Sequence, residues 1–143
     1  MKTLKKLLEE RPRTPICVSP DDTVFSALEL MAKHEIGAVL AMQDGKLAGI
    51  FSERDYARQG ELLGNVSKET PVRKIMTEKV LYALPEQTTD EAMALMTEKR
   101  VRHLPVLDAN QRVVGMVSIG DMVKETISEQ AFLIKQLEQY IAS

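Results

Sequence analysis

The chain is expected to be an α/β (α+β) protein: two tandem β-α-β-β-α units related by a pseudo-twofold axis, with a C-terminal helix added. The first observation behind this is a repeat. Residues 16–43 overlie residues 81–108, and residues 46–58 overlie 112–124 after one inserted residue, placed in a loop, where an insertion does little harm. Eight positions are identical: Pro20/Pro85, Thr23/Thr88, Ala27/Ala92, Leu30/Leu95, Met31/Met96, Gly49/Gly115, Ser52/Ser118 and Asp55/Asp121. The second is that apolar spacing changes in the same order in both copies, from a short run to a helical period to two runs split by a turn. The third is a duplicated Gly-x-x-Ser-x-x-Asp frame, whose polar or backbone-special residues a core does not need. A duplicated unit of this size packs against its copy and leaves a groove on the dyad, so the frame points to a paired ligand site.

Each element follows from local chemistry. Thr3 to Glu10 reads as a short helix with Leu4, Leu7 and Leu8 on one face, broken by Arg11-Pro12-Arg13-Thr14-Pro15. Ile16-Cys17-Val18 is a short strand, in which Cys17 is read as a small core residue. Ser19-Pro20-Asp21-Asp22-Thr23 supplies a turn and a helix cap. Val24, Ala27, Leu28 and Met31 then recur at helical spacing. Ala38–Met42 and Leu47–Phe51 flank Asp44-Gly45, a strong hairpin signal. Glu53 to Gln59 begins another helix. The second copy repeats the order with strand Leu81-Tyr82-Ala83, capping-box spacing from Thr88 to Glu91, and a hairpin of Leu104–Leu107 with Val113–Val117. Val72, Ile75 and Met76 echo Leu4, Leu7 and Leu8. The expected segments are residues 1–60, repeat one with its lead-in helix; 61–71, a polar and mobile linker; 72–126, repeat two; and 127–143, a C-terminal helix. That helix carries Ile127, Ala131, Ile134, Leu137 and Ile141 on one stripe, and either docks on its own core or pairs with another subunit.

Composition narrows the function. Apolar residues make up 44% of the 143, charged residues 28%, aromatics only 4%, with eight Met to fill the core. A net charge of −2 gives no drive toward nucleic acid or an anionic membrane. No run approaches the roughly 18 apolar residues of a spanning helix. Met1 to Lys6 has basic residues without the apolar stretch of a signal peptide. A single cysteine fits a reducing, cytoplasmic setting.

In each copy the Ser of the frame stands where a strand runs into a helix. There its hydroxyl can cap the helix or meet an anion, because free N–H groups and the helix dipole converge. Asp55 and Asp121 lie one turn on, where a carboxylate can accept both hydroxyls of a ribose; the alternative is a plain helix cap. Arg102-His103 opens a strand where repeat one has Gly37-Ala38, and Arg54 stands where repeat two has Gly120. These basic groups suit either a phosphate or bulk solvent. His34 ends a helix as a C-terminal cap, and neither histidine has a partner at metal-ligand spacing. No catalytic motif is present; Asp55 and Asp121 as an acid–base pair of a small enzyme are the weakest reading.

Val18-Ser19-Pro20-Asp21-Asp22-Thr23, Ile50-Phe51-Ser52-Glu53-Arg54-Asp55-Tyr56, Ile75-Met76-Thr77, Arg102-His103-Leu104-Pro105-Val106 and Val117-Ser118-Ile119-Gly120-Asp121 together resemble a tandem CBS-domain protein. The match spans residues 3–126 and is similar to the small stand-alone bacterial type. The resemblance implies a Bateman module, non-catalytic and without a metal, that binds AMP, ADP, ATP or NAD(H) as a regulatory ligand and relays it to an unidentified partner protein. It implies Asp55 and Asp121 on ribose, Ser52 and Ser118 near ribose or phosphate, and Arg54, Arg102 and His103 on phosphate. Thr14, Pro15, Ile16, Lys79, Val80 and Leu81 would border adenine, with Gly37, Ala38, Leu104, Pro105 and Gly120 completing the sites. The missing charge at Gly37-Ala38 makes site one the expected weaker one. A homodimer is expected, with neither nucleic acid nor membrane as partner. The rival is an interaction module with vestigial clefts.

Overall fold

The computed structural model describes residues 2–142; Met1 and Ser143, the outermost residues of the first and last expected segments, lie outside it. Its elements are α1 (Leu4–Glu10), β1 (Cys17–Val18), α2 (Val24–His34), β2 (Ala38–Gln43), β3 (Lys46–Ser52), α3 (Glu53–Asp55), α4 (Val72–Ile75), α5 (Thr89–Lys99), β4 (His103–Leu107), β5 (Val113–Ser118) and α6 (Ile119–Ala142). After α3 the chain continues as a π-helical turn over Tyr56–Glu61. In the first sheet β1 runs parallel to β2, and β2 antiparallel to β3. The second sheet is the hairpin β4–β5. Both hairpins bulge at the same repeat position, between Ala41 and Met42 and between Val106 and Leu107. Asp44 and Gly45 both have positive φ, as the two-residue turn between Gln43 and Lys46 requires. Thr3, Thr23 and Thr88 cap α1, α2 and α5 through their side chains. Glu35 and Arg100 end α2 and α5 in the left-handed conformation, with Ile36 and Val101 N–H closing back on Met31 and Met96 O.

The strand expected at Leu81-Tyr82-Ala83 shrinks to one bridge, Ala83 with Val106. In repeat one Leu40 N–H donates to Ile16 O. Its counterpart is Pro105, which has no N–H to give Leu81, so the ladder loses that rung. Cys17 is exposed rather than in the core, because the two residues of β1 alternate and Val18 takes the inward face.

Two cores form, and the lead-in helices are exchanged between them. Leu4 and Leu7 of α1 pack with Ala83, Ala92, Met96, Leu104, Val106, Val117 and Met122 of repeat two. Val72, Ile75 and Met76 pack with Val24, Met31, Val39 and Phe51 of repeat one. Matched backbone bonds hold each exchange. Leu4 N–H reaches Gln87 O and Thr89 N–H reaches Lys2 O; Val72 N–H reaches Asp22 O and Val24 N–H reaches Thr70 O. The stretch expected as a mobile linker is thereby pinned to the start of α2, with Ser67 O accepting from Phe25 N–H as well.

Gly49 and Gly115 of the repeated frame serve this exchange. A Cβ on Gly49 would stand 2.6 Å from Met76 Sδ and 2.9 Å from Thr77 O. One on Gly115 would stand 2.7 Å from Leu8 Cδ1. The glycines therefore admit the end of the other copy's lead-in helix and do not belong to the ligand frame.

The C-terminal helix does not start near residue 127. It runs unbroken from Ile119 to Ala142, with Ser118 Oγ accepting from Asp121 N–H at its start and no proline in 119–141 to interrupt it. Its first turns are held by the N-terminal segment: buried Glu125 is paired with Lys2 at 2.8 Å, and Lys2 also binds Glu10. From Ile127 to Ile141 most side chains are exposed, the apolar stripe included. Among the described residues no helix is long and apolar enough to cross a membrane.

Candidate functional site

Two clefts lie on the dyad, and each is walled by both repeats. The first, about 410 Å³, is lined by Ser52, Glu53, Arg54, Asp55 and Arg58 of repeat one and by Thr77–Leu81 (without Glu78) and Arg100–His103 from the other side. The second, about 500 Å³, sets Ser118, Gly120, Asp121 and Lys124 of repeat two against Arg13–Ile16 and His34–Gly37. Both volumes suit a small organic ligand. Of the residues singled out by sequence, Ser52, Arg54, Asp55, Lys79, Val80, Leu81 and Arg102 meet in the first cleft. Thr14, Pro15, Ile16, Ser118, Gly120 and Asp121 meet in the second, while Gly37 and His103 border both. Ala38, Leu104 and Pro105 line neither; all three are buried in β2 and β4, with Ala38 and Leu104 wholly inaccessible.

The Ser–Asp frame is a reciprocal cap in both copies. Ser52 N–H donates to Asp55 Oδ2 at 2.9 Å, and Asp55 N–H donates to Ser52 Oγ at 3.2 Å. Ser118 and Asp121 repeat this at 2.8 and 3.1 Å. Cap and ligand site are therefore not exclusive. The cap fixes each carboxylate with one oxygen on its own turn and turns Oδ1 outward. Asp55 Oδ1 accepts the Thr77 hydroxyl at 3.2 Å, and Asp121 Oδ1 holds the Arg13 guanidinium at 2.9 Å.

The clefts differ in charge. Arg54, Arg58, Lys79, Arg100 and Arg102 face Glu53 and Asp55 in the first; Arg13 and Lys124 face Glu35 and Asp121 in the second. Arg54 Nη1 also donates to Arg100 O at 2.8 Å, tying α3 to the end of α5 across the first cleft. The charge shortfall expected at site one thus falls on the second cleft. The reason is geometric, because Arg102-His103 crosses the dyad to the Asp55 side. Gly37 leaves room for the His103 ring, since a Cβ there would make a tight contact of 3.3 Å with His103 Cε1. Burial pushes the His103 pKa below its ordinary 6.5, outweighing Asp121 and Glu53, which raise it. The ring between the clefts is neutral at pH 7.

Arg58, Thr77 and Arg100, and Arg13, His34, Glu35 and Lys124, are cleft residues that the sequence reading did not single out. Arg58 and Lys124 carried a signal, as basic residues three positions after the Asp in both copies. The others reach the clefts only through the fold.

The sequence model of the CBS domain matches residues 8–62 and, a second time, 72–128. The chain belongs to the CBS-domain family. It is 42% identical to the mitochondrial CBS domain-containing protein CBSX3 of Arabidopsis thaliana over 126 residues, 85% of this chain and 61% of that protein. The chain thus spans about three fifths of that relative's length. A solved CBS-domain protein of Burkholderia ambifaria MC40-6 superposes with a TM-score of 0.86 at 48% identity, covering 90% of this chain and 96% of that one. The CBS domain pair of protein MJ0100 superposes with a TM-score of 0.76 at 26% identity, covering 87% of this chain and 99% of that one. Its structure is a complex with 5-methylthioadenosine and S-adenosyl-L-methionine.

Proposed function

We propose that this CBS pair is a non-catalytic sensor of adenosine-bearing ligands, with AMP, ADP, ATP or NAD(H) as the nucleotides to test first. The observation that carries it is the first cleft, where five cationic side chains surround a capped carboxylate whose second oxygen faces the cavity. Such a carboxylate accepts from ribose hydroxyls, and the arginines offer paired N–H groups to phosphate. The adenosine compounds bound by the MJ0100 pair support the same chemistry. Leu81 and Val80 supply an apolar wall beside them, which fits adenine. Because each cleft is shared by both repeats, an occupant that touches both walls favours their close apposition and shifts the population toward it. A partner protein reads that shift.

A thermal-shift panel tests this. A ligand at 100 times its dissociation constant stabilises by about 2.7 kcal/mol, which corresponds to a rise of roughly 5–10 °C. Adenine nucleotides should give it and cytidine nucleotides should not. Equal responses to both would remove the adenine preference, and no response to either would leave the clefts as vestiges of an interaction module.

The same reading includes a homodimer through α6. Val123, Ile127, Ile134, Leu137 and Ile141 stand exposed at spacings of three, four and seven residues along one face. Soluble proteins rarely leave such a stripe in water. Sedimentation should give twice the 16.0 kDa chain mass, and truncation after Thr126, which spares the Lys2–Glu125 pair, should give the monomer. A truncated chain that stays dimeric would place the contact elsewhere.

A further inference from the structure

The two cap carboxylates differ in what holds the oxygen that faces the cleft. Asp55 Oδ1 takes a neutral hydroxyl from Thr77, whereas Asp121 Oδ1 takes a full charge from Arg13 Nη2 at 2.9 Å. Chain length accounts for the difference. The lead-in helices correspond through the matched bonds of Leu4 and Val72. From Leu7 to Ile16 the chain takes nine steps, while from Ile75 to Leu81 it takes six. The longer stretch carries Arg13 over the second cleft. Its side chain is 61% exposed against 13% for Asp121, so the guanidinium reaches in from the solvent side onto a half-buried carboxylate.

We infer that Arg13 sets the ligand specificity of the second cleft, holding Asp121 while the cleft is empty and turning to a ligand's phosphate once ribose takes that oxygen. This rests on the reading of the clefts as adenosine-ligand sites. A nucleoside that binds Asp121 must displace the guanidinium and gives it no new anion. A nucleotide displaces it and supplies one, on which the planar fork can make two parallel bonds. Lys124 is the other cationic side chain on this cleft's wall, and Glu35 stands opposite it in charge. The first cleft has no such exchange. There ribose would meet a carboxylate whose outward oxygen carries a hydroxyl and not a cation, while arginines that do not hold that carboxylate line the same cleft to read the phosphate.

The test is an NMR titration of the full chain and of Arg13→Gln with adenosine and with AMP. The Gly120 amide reports the second cleft and the Lys79 amide the first. The substitution lies on an exposed side chain and keeps its polar character, so the fold is retained. At Gly120, adenosine should bind about three- to fivefold tighter to the variant, the scale of one exposed ion pair. AMP should bind no tighter, so its preference over adenosine falls, while neither affinity changes at Lys79. Equal gains for both ligands at Gly120, or no change there while Lys79 still responds, would overturn the role of Arg13 and leave the nucleotide reading standing. No response of either amide to either ligand, in either protein, would overturn the nucleotide reading and this inference with it.

Discussion

Replacing Leu4 and Leu7 together by Ala should unfold the second repeat first, although both residues precede the first. Each is almost wholly buried, at 0% and 2% exposure, in a core whose other buried members all come from residue 83 onward. A buried Leu→Ala change costs about 2–5 kcal/mol, so the pair together approaches the roughly 5–15 kcal/mol that holds a whole domain. The mirror experiment is Val72→Ala with Ile75→Ala, two residues equally buried in the core of repeat one. Hydrogen exchange distinguishes the two. The Leu variant should lose protection in the β4–β5 hairpin before β2–β3, and the Val72/Ile75 variant in the opposite order. If the Leu variant instead exposes β2 and β3 first, the exchanged packing of α1 and α4 is wrong.

That exchange marks the boundary of what the residues disclose on their own. The repeat, the hairpins and the caps are local features: Asp44-Gly45 requires a tight turn, Thr23 and Thr88 each free a hydroxyl at a helix start, and helical spacing announces α2 and α5. Leu4 and Val72 are legible as a matched pair in the same way. Nothing near either residue states which core it enters, because that depends on a crossing in space. The same limit explains the clefts. Ser52 with Asp55, and Ser118 with Asp121, are recognisable by spacing, while their opposite walls come from the other copy. Local sequence therefore places the charge of Arg102 with its own repeat, whereas Arg102 lines the cleft of Asp55, and it carries no sign that Arg13 and Thr77 reach the clefts. Two departures from the expected pattern are local but subtle. Pro105 silently removes the donor that a strand at Leu81 needs, and a strand two residues long turns Cys17 outward simply by turning Val18 in. A third concerns Gly49 and Gly115. A glycine within a polar frame invites a ligand reading, yet neither lines a cleft: Gly49 lies against Met76 and Thr77 O, and Gly115 against the end of the Leu8 side chain.

The crossing of the walls has a consequence in binding that a nearest-neighbour reading of the chain would reverse. Asp55→Asn should weaken an adenine nucleotide at the first cleft by a factor of roughly 30–150, the 2–3 kcal/mol carried by hydrogen bonds to a charged acceptor. The amide keeps one oxygen to accept from Ser52 N–H, so the cap and the melting temperature should survive. Arg102 lies in that same cleft. Its loss should therefore weaken AMP much more than adenosine in the wild-type chain, yet add little in the Asp55→Asn background, where the nucleotide is no longer held in place for Arg102 to read. In the Asp121→Asn background, Arg102→Ala should instead weaken the one remaining site, since Asp121 belongs to the other cleft. Non-additivity between residues 55 and 102, with near-additivity between 121 and 102, is the signature expected of groups that share one ligand against groups that do not. Calorimetric titration of the wild-type chain, the three single variants and the two double variants with AMP measures both couplings. The reverse pattern would pair Arg102 with the Asp of its own repeat, and the clefts would then have to be built within each copy rather than between them.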